Sequence, residues 1–343
     1  MMKMFRRHEL RDSINPERVK AVMDFGVTEP QARFLLHVLI HSGVFIERQF
    51  CAFTGIKHGQ KTKDFLTDLV GRGYATAITP GKLHRGRLYH VQYKPLYEAI
   101  GEANNRNRRP ASTGRFVERL MLLDGVLFDT RHWWLGTERD KVAYFDDAFE
   151  QNTRIYYPKL TFGEGRDRTV RYFPYKLPIG IAKGDGRHVF VYLVTRRVPT
   201  DFRAFLARHA DLLGAVDEWT IRVLVPMRFW NAVSLHRFAF RDTCITRLTP
   251  QEFAEFDWFC RARRGQTPGS DRYGDLDLAK AARKFGSARW RTLDRVWEQE
   301  GESGLRTFQV DYILEKLRLK RGALRFIPIF HQYLQLTPLI GAA

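Results

Sequence analysis

The sequence predicts a multi-domain α/β chain of the α+β kind, on three observations. Between Thr28 and Tyr93, three stretches of helical periodicity precede two short strand-like runs. Between residues 116 and 264, two β-rich runs are separated by a turn, and a helical stripe then leads to a third β-rich run, the pattern of a mixed sheet. Beyond Arg264 helical periodicity returns, so residues 265–343 are expected as a C-terminal helical module. At 343 residues, with 44% hydrophobic and 13% aromatic side chains, the chain exceeds the usual single-domain size and can bury more than one core.

The first region opens with TEPQARFLLHVLIHSG, where Thr28 and Gln31 have capping-box spacing and Pro30 falls in the first turn. Phe34, Leu35, Val38 and Leu39 then form a helical stripe that Gly43 closes. A second helical segment, IERQFCAF, ends at Thr54-Gly55. The third, HGQKTKDFLTDLVGRG, gathers Phe65, Leu66, Leu69 and Val70 on one side. YATAIT and RLYHVQY follow as strands joined by PGKLHRG. This succession predicts a winged helix-turn-helix domain over residues 24–103, preceded by a basic arm at 1–23.

A reading helix needs an apolar seat and polar side chains near its start that reach base edges in the major groove. Gln60 suits paired hydrogen bonds to adenine, and Lys61 or Lys63 suits guanine or phosphate. Arg48, His58, Gln60, Lys61 and Lys63, with Lys82, His84, Arg85 and Arg87 on the hairpin, are therefore the expected DNA contacts. The hairpin cations would supply affinity that is independent of base sequence. Winged-helix folds also serve as protein-interaction modules, which leaves an adaptor role open.

Net charge is +19, which favours a polyanionic partner, nucleic acid above a membrane surface. Cys51, Cys244 and Cys260 are odd in number and widely spaced, with no CxxC pair and no zinc spacing, so neither a disulfide framework nor a structural metal is expected. His37 and His41 share a helix face without a third ligand, a pattern usually structural. No apolar leader or spanning run is evident, and a cytoplasmic protein without membrane association is expected.

NNRNRRPASTGR, residues 104–115, breaks all periodicity and reads as an arginine-rich linker, either solvated or tracking a phosphate backbone. Helices follow in RFVERLMLLDGVLFD and TERDKVAYFDDAFE, the latter capped by Thr137. TVRYFPYKLPIGIA and HVFVYLVT are expected to pair across the KGDG turn at 183–186. DFRAFLARHADLLG gives the crossover helix and TIRVLVP a further strand of the α/β domain over 116–264. In the C-terminal module, Trp290, Leu293 and Trp297 line one helix, and QVDYILEKLRLKR forms another.

Several active-site patterns are missing: no His-hydrophobic-His triplet, no Walker A sequence and no GxSxG elbow. The order helix, hairpin, helix, strand over 115–225 resembles the restriction-endonuclease-like fold. Members that cut DNA hold a divalent metal between carboxylates on the hairpin strands, whereas Tyr172, Phe173, Pro174 and Tyr175 and Phe190 to Val194 offer none. With RYFPYKLPIGI…HVFVYLVT, the arrangement resembles the replication-relaxation family of bacterial plasmids and integrative elements. That resemblance implies a winged helix followed by a degenerate nuclease domain. Pro174-Tyr175 stands where relatives would show Pro-Asp, which counts against metal chemistry.

The expectation is a sequence-specific double-stranded-DNA-binding protein of a plasmid or mobile element, acting in transcription regulation, replication or transfer. It needs no cofactor, no metal and no catalytic residue, and is not read as an enzyme. Homodimerisation and contacts with other replication or transfer proteins stay open. The rival is a metal-dependent nuclease or nicking enzyme using displaced carboxylates such as Asp146, Asp147, Glu150 and Asp167.

Overall fold

A computed structural model describes residues 13–78, 87–149, 153–163, 169–174, 177–244, 248–265, 278–286, 288–307, 312–331 and 333. Among them the chain forms thirteen α-helices and ten strands in three sheets, a mixed α/β architecture with several cores.

α1 (Pro16–Met23) is the described part of the expected basic arm, capped by the Asn15 side chain and packed against α2 (Glu29–His41). The Thr28/Gln31 capping box forms, with the Thr28 amide donating to Gln31 Oε1 at 2.9 Å. β1 (Val44–Ile46), α3 (Glu47–Thr54), α4 (Gln60–Gly71), β2 (Ala75–Ile78), β3 (Leu88–Val91) and α5 (Lys94–Ala99) follow. Their sheet has the antiparallel order β1-β3-β2, with Phe45 opposite Tyr89 and Ala77 also opposite Tyr89. Gly43 adopts φ 72°, and its position lies against the Asn107 carbonyl, so a side chain has neither backbone freedom nor room there. One core, built on Phe34, Leu35, Phe45, Phe50, Phe65 and Leu69, holds this unit together.

The second unit begins with α6 (Thr113–Leu127), β4 (His132–Leu135) and α7 (Glu138–Ala148). The long β-rich run expected over TVRYFPYKLPIGIA is two strands in different sheets. β6 (Thr169–Tyr172) pairs with β5 (Lys159–Phe162) in a separate ribbon, and β7 (Ile179–Ala182) enters the main sheet. Pro174 and Pro178 lie between them, and Phe173 takes φ 48°, a conformation that breaks an extended chain. β7 pairs with β8 (His188–Leu193) across the expected KGDG turn, α8 (Thr200–Ala215) crosses over, and β9 (Trp219–Pro226) runs parallel to β8.

The C-terminal residues expected as helices also supply a strand. β10 (Gly322–Ile329) pairs parallel with β9 along its full length and completes the order β10-β9-β8-β7-β4. Side chains alternate across this sheet with period two. Val189, Val191, Leu193 and Leu224 meet Phe116, Val117 and Leu120 of α6 on one face. Phe190, Tyr192, Ile221 and Val223 meet Phe202, Phe205 and Leu206 of α8 on the other. α9 (Val233–Cys244) packs beside α8. α10 (Pro250–Arg263), α11 (Leu278–Lys284) and α12 (Ala288–Thr307) share a smaller core of Phe256, Phe259, Phe285, Trp290 and Trp297, and α13 (Tyr312–Arg318) leads back to β10.

Candidate nucleic-acid interface

α4 is seated by Thr62, Phe65, Leu66 and Leu69, all buried. Phe65 stacks on Phe50 of α3 with ring centroids 4.2 Å apart, and Phe50 meets Phe34 of α2 edge-on. These contacts fix the rotation of α4 about its own axis. Gln60, Lys61, Lys63, Asp64 and Thr67 are left exposed.

The expected contacts divide into three groups. Lys61 and Lys63 stand exposed in the first turns of α4 with no acidic partner among the described residues, and Lys57 is exposed on the turn leading into the helix. Arg87 is exposed at the start of β3, where its guanidinium interacts with the Tyr89 hydroxyl. Gln60 and His58 are engaged: Gln60 Nε2 donates to Asp64 Oδ1 at 2.6 Å, and His58 Nδ1 pairs with Glu47 Oε1. Both pairs are exposed and exchangeable, since surface interactions of this kind contribute about 0–1 kcal/mol. Lys82, His84 and Arg85 lie outside the described residues.

Arg48 is placed elsewhere. Its Nη2 reaches Asp124 Oδ1 on α6 at 2.9 Å and the Tyr333 hydroxyl at 3.0 Å. Its charge is thus spent inside the protein, at the seam between the N-terminal unit and the α/β unit. The sequence carries no sign of this, because Arg48, Asp124 and Tyr333 are far apart along the chain.

α4 is not uniformly basic. Asp64 and Asp68 lie on it, and Asp68 Oδ1 accepts from Arg72 Nε at 2.7 Å. Two lysines beside a Gln–Asp pair form a patterned surface, suited to discrimination more than to strong non-selective attraction. Lys57 is a further exposed cation beside this surface that the sequence did not single out, although its position one residue before His58 is visible in IKHGQ.

Of the carboxylates of the rival nuclease reading, Asp146 and Asp147 are described. Asp146 accepts from Arg154 Nη2 at 2.6 Å and from the Tyr157 hydroxyl at 2.9 Å, and the Arg154 hydrogen bond holds its carboxyl below the usual range. Asp147 is exposed on the same helix, while Glu150 and Asp167 lie outside the described residues. β7 and β8 contain no Asp or Glu. Among the described residues no three His, Cys, Asp or Glu side chains are grouped to hold a metal ion. His37, half-buried, and His41, buried, stack on each other at 5.9 Å on α2.

No protein-family model, no curated protein and no solved structure matches this chain. Among the described residues no helix is long and apolar enough to cross a membrane.

Proposed function

We propose that the N-terminal unit is a winged helix that binds double-stranded DNA in a sequence-specific way, within a protein that serves the transcription, replication or transfer of a mobile element. The observation that carries this reading is the division of α4 into a buried aromatic-seated face and an exposed face bearing Lys61 and Lys63 near its N-terminus. Helix, strand, helix, helix, then a two-stranded ribbon is the element order such a domain requires, and it is the order from α2 to β3. A major groove about 12 Å wide admits a helix with this much free surface. The ribbon would lie along the neighbouring backbone, with Arg87 at its base, while Lys82, His84 and Arg85 belong to the sequence between its two strands.

The α/β unit is read as a degenerate endonuclease-like domain. Helix α6, the β7–β8 hairpin, helix α8 and strand β9 follow the expected order, and the hairpin lacks the carboxylates that a cutting member needs. Its role in this reading is to hold the winged helix and supply further backbone contact.

Selection from randomised duplexes, followed by fluorescence anisotropy on the selected site, tests the reading. Lys61→Glu/Lys63→Glu is expected to weaken the selected site at least about tenfold, since one good base contact is worth about 1–3 kcal/mol. Both side chains are exposed, so the fold should survive. Unchanged affinity in this variant, or failure of the wild-type protein to enrich any sequence, would refute the proposal.

A further inference from the structure

Three parallel strands of the main sheet end side by side. Leu193 lies opposite Leu224 and Pro226 opposite Ile329, so the carboxyl ends of β8, β9 and β10 share one edge. The Val194 amide donates to the Leu224 carbonyl at 2.9 Å, which keeps β8 in line to the point where the chain turns out. Beyond that edge each strand delivers exposed side chains. β8 runs into Arg196 and Arg197, β9 into a 3-10 turn (Met227–Ala232) that carries Arg228 and Trp230, and β10 into Phe330. The 3-10 turn packs against both β9 and β10, which sets Trp230 beside the chain that bears Phe330. β4 is parallel to β8, and the turn after it is covered where Gly136 meets Ile40 of α2. The edge is therefore closed at β4 and open at β8 to β10.

Trp230 is 41% and Phe330 72% exposed. A single exposed apolar side chain is ordinary, but two aromatic rings on adjacent strand ends, flanked by guanidiniums, form a surface of defined chemistry. The Arg228 guanidinium lies over the Phe229 ring, 4.7 Å from its centroid, and that contact steadies it at the surface. Arg196 faces Asp201 at 3.9 Å, whereas Arg197 and Arg228 have no acidic partner among the described residues. Neighbouring strands are about 4.8 Å apart, so the row from β8 to β10 spans roughly 10 Å. Its width suits one extended chain more than a broad anionic plane.

We propose that the carboxyl ends of β8, β9 and β10 bind single-stranded nucleic acid, with bases stacked on Trp230 and Phe330 and phosphates held by Arg197 and Arg228. The two kinds of side chain answer the two parts of such a strand. Guanidinium forks match phosphate oxygens two at a time, and an exposed aromatic ring accepts the face of any base. In a duplex the bases already stack on one another and offer these rings no free face. An acidic peptide would satisfy the guanidiniums but leave both rings in water. This surface belongs to the α/β unit and stands apart from the winged-helix reading.

The test measures the anisotropy of a labelled oligodeoxythymidine, about twenty nucleotides long, with full-length protein at physiological salt. Trp230→Ala/Phe330→Ala is expected to bind it at least about tenfold more weakly, because two stacking platforms are lost. Both rings are exposed, so the melting temperature should hold. Arg197→Gln/Arg228→Gln should lower the salt slope by about 1.4, at roughly 0.7 per phosphate on a single strand; this pair carries the test if the alanine variant unfolds. Lys61→Glu/Lys63→Glu should bind the oligomer as wild type does, so a failed winged-helix reading and a failure here are told apart. A blunt duplex of the same length should bind equally with and without the two rings. No binding of the oligomer by wild type, or equal binding by wild type and both double variants, overturns the proposal. It also falls if polyglutamate or phosphatidylserine vesicles need the two rings and the oligomer does not, which would assign the surface to an acidic peptide or a membrane.

Discussion

Arg48 of α3 and Asp124 of α6 form an ion pair of 2.9 Å that joins the N-terminal unit to the α/β unit, although 76 residues separate them. Asp124 is buried and also accepts from Gln49 Nε2 at 2.9 Å and from the Tyr333 hydroxyl. Burial and the nearby Asp124 charge push the Tyr333 hydroxyl well above its ordinary pKa, so it stays a donor. Removing the carboxylate takes the shared acceptor from Arg48, Gln49 and Tyr333 at once and leaves the Arg48 charge without its counter-ion, although Gln49 and Tyr333 also reach the Leu120 carbonyl. Asp124→Ala is expected to cost roughly 3 kcal/mol, the scale for breaking one partner out of a buried pair, read as a lower midpoint in urea unfolding. Arg48→Ala should lower the melting temperature but, measured well below it, leave the salt slope of duplex binding unchanged. A slope reduced by about one would return Arg48 to the set of phosphate contacts.

Gly136 tests the same seam from the other side. A Cβ at this position would lie 2.1 Å from Ile40 Cγ2 and 2.6 Å from His41 Cε1, so the turn after β4 touches the end of α2 with no space for a methyl group. Ser13 Oγ accepts from the Gly136 amide at 2.9 Å, which pins the turn further. Gly136→Ala should destabilise by roughly 1–3 kcal/mol through overpacking. Gly184 lies in the exposed β7–β8 turn with open space around its Cβ position, and Gly184→Ala should shift the melting temperature much less. Equal melting temperatures for the two variants would show that the seam is loose.

Local chemistry was legible and distant pairing was not. The α2 capping box, the α4 stripe, the KGDG turn and the α8 crossover each declare themselves within a few residues, and each is present, except that Val70, expected on the α4 stripe, is exposed. β1 and β4 were passed over because Val44–Ile46 and His132–Leu135 are too short to show alternation. β10 has the composition of a strand, but the helical stretches before it masked its partner, β9, which ends about a hundred residues earlier. In the candidate interface, Lys61 and Lys63 were readable because one helix both seats and presents them. The pairing of Arg48 with Asp124 was not readable, because only the tertiary fold sets the position of Asp124.

Buried His41 and His209 and half-buried His37 give stability a definite pH dependence. Burial first, then the cations Arg33 and Lys183, hold His37 at about 4, and burial holds His209 at about 3. Burial, and next His37, hold His41 well below its ordinary value. Folded values below the unfolded value of about 6.5 mean that the unfolded chain takes up protons first on acidification. Stability from these groups is therefore complete above pH 6.5 and lost as pH falls toward 4. Each contributes a slope of up to about 1.4 kcal/mol per pH unit in that window. Melting temperature is expected to drop between pH 7 and pH 5, and His209→Phe should shallow the drop if the variant folds. A profile flat over that range would mean that the imidazolium forms reach water or a carboxylate.

Asp211 works in the opposite direction. It lines a small cleft of about 50 Å³ between α8, α12 and β5, with Lys159, Arg208, Arg295 and Glu300 among its neighbours. Burial, then the Glu300 charge, raise its carboxyl to about 6, against a partial offset from Lys159. A folded value above the unfolded one of about 3.9 means that the folded state holds the proton longer. Ionised Asp211 thus costs stability progressively from pH 4 to pH 6 and fully above that. Asp211→Asn removes the cost while keeping the shape, and should stabilise at pH 7.5 by about 1–2 kcal/mol after discounting the shift for partial exposure. Below about pH 3.5, where Asp211 is protonated in the folded and the unfolded chain alike, the two proteins should melt together, while at pH 4.5 roughly a third of the gap should remain. Glu300→Gln should give a smaller gain at neutral pH, since it removes only the second cause of the shift. If Asp211→Asn melts below wild type at pH 7.5, the carboxylate is held by Lys159 in a net favourable pair, and the cleft joins α8 to α12 by attraction rather than against repulsion.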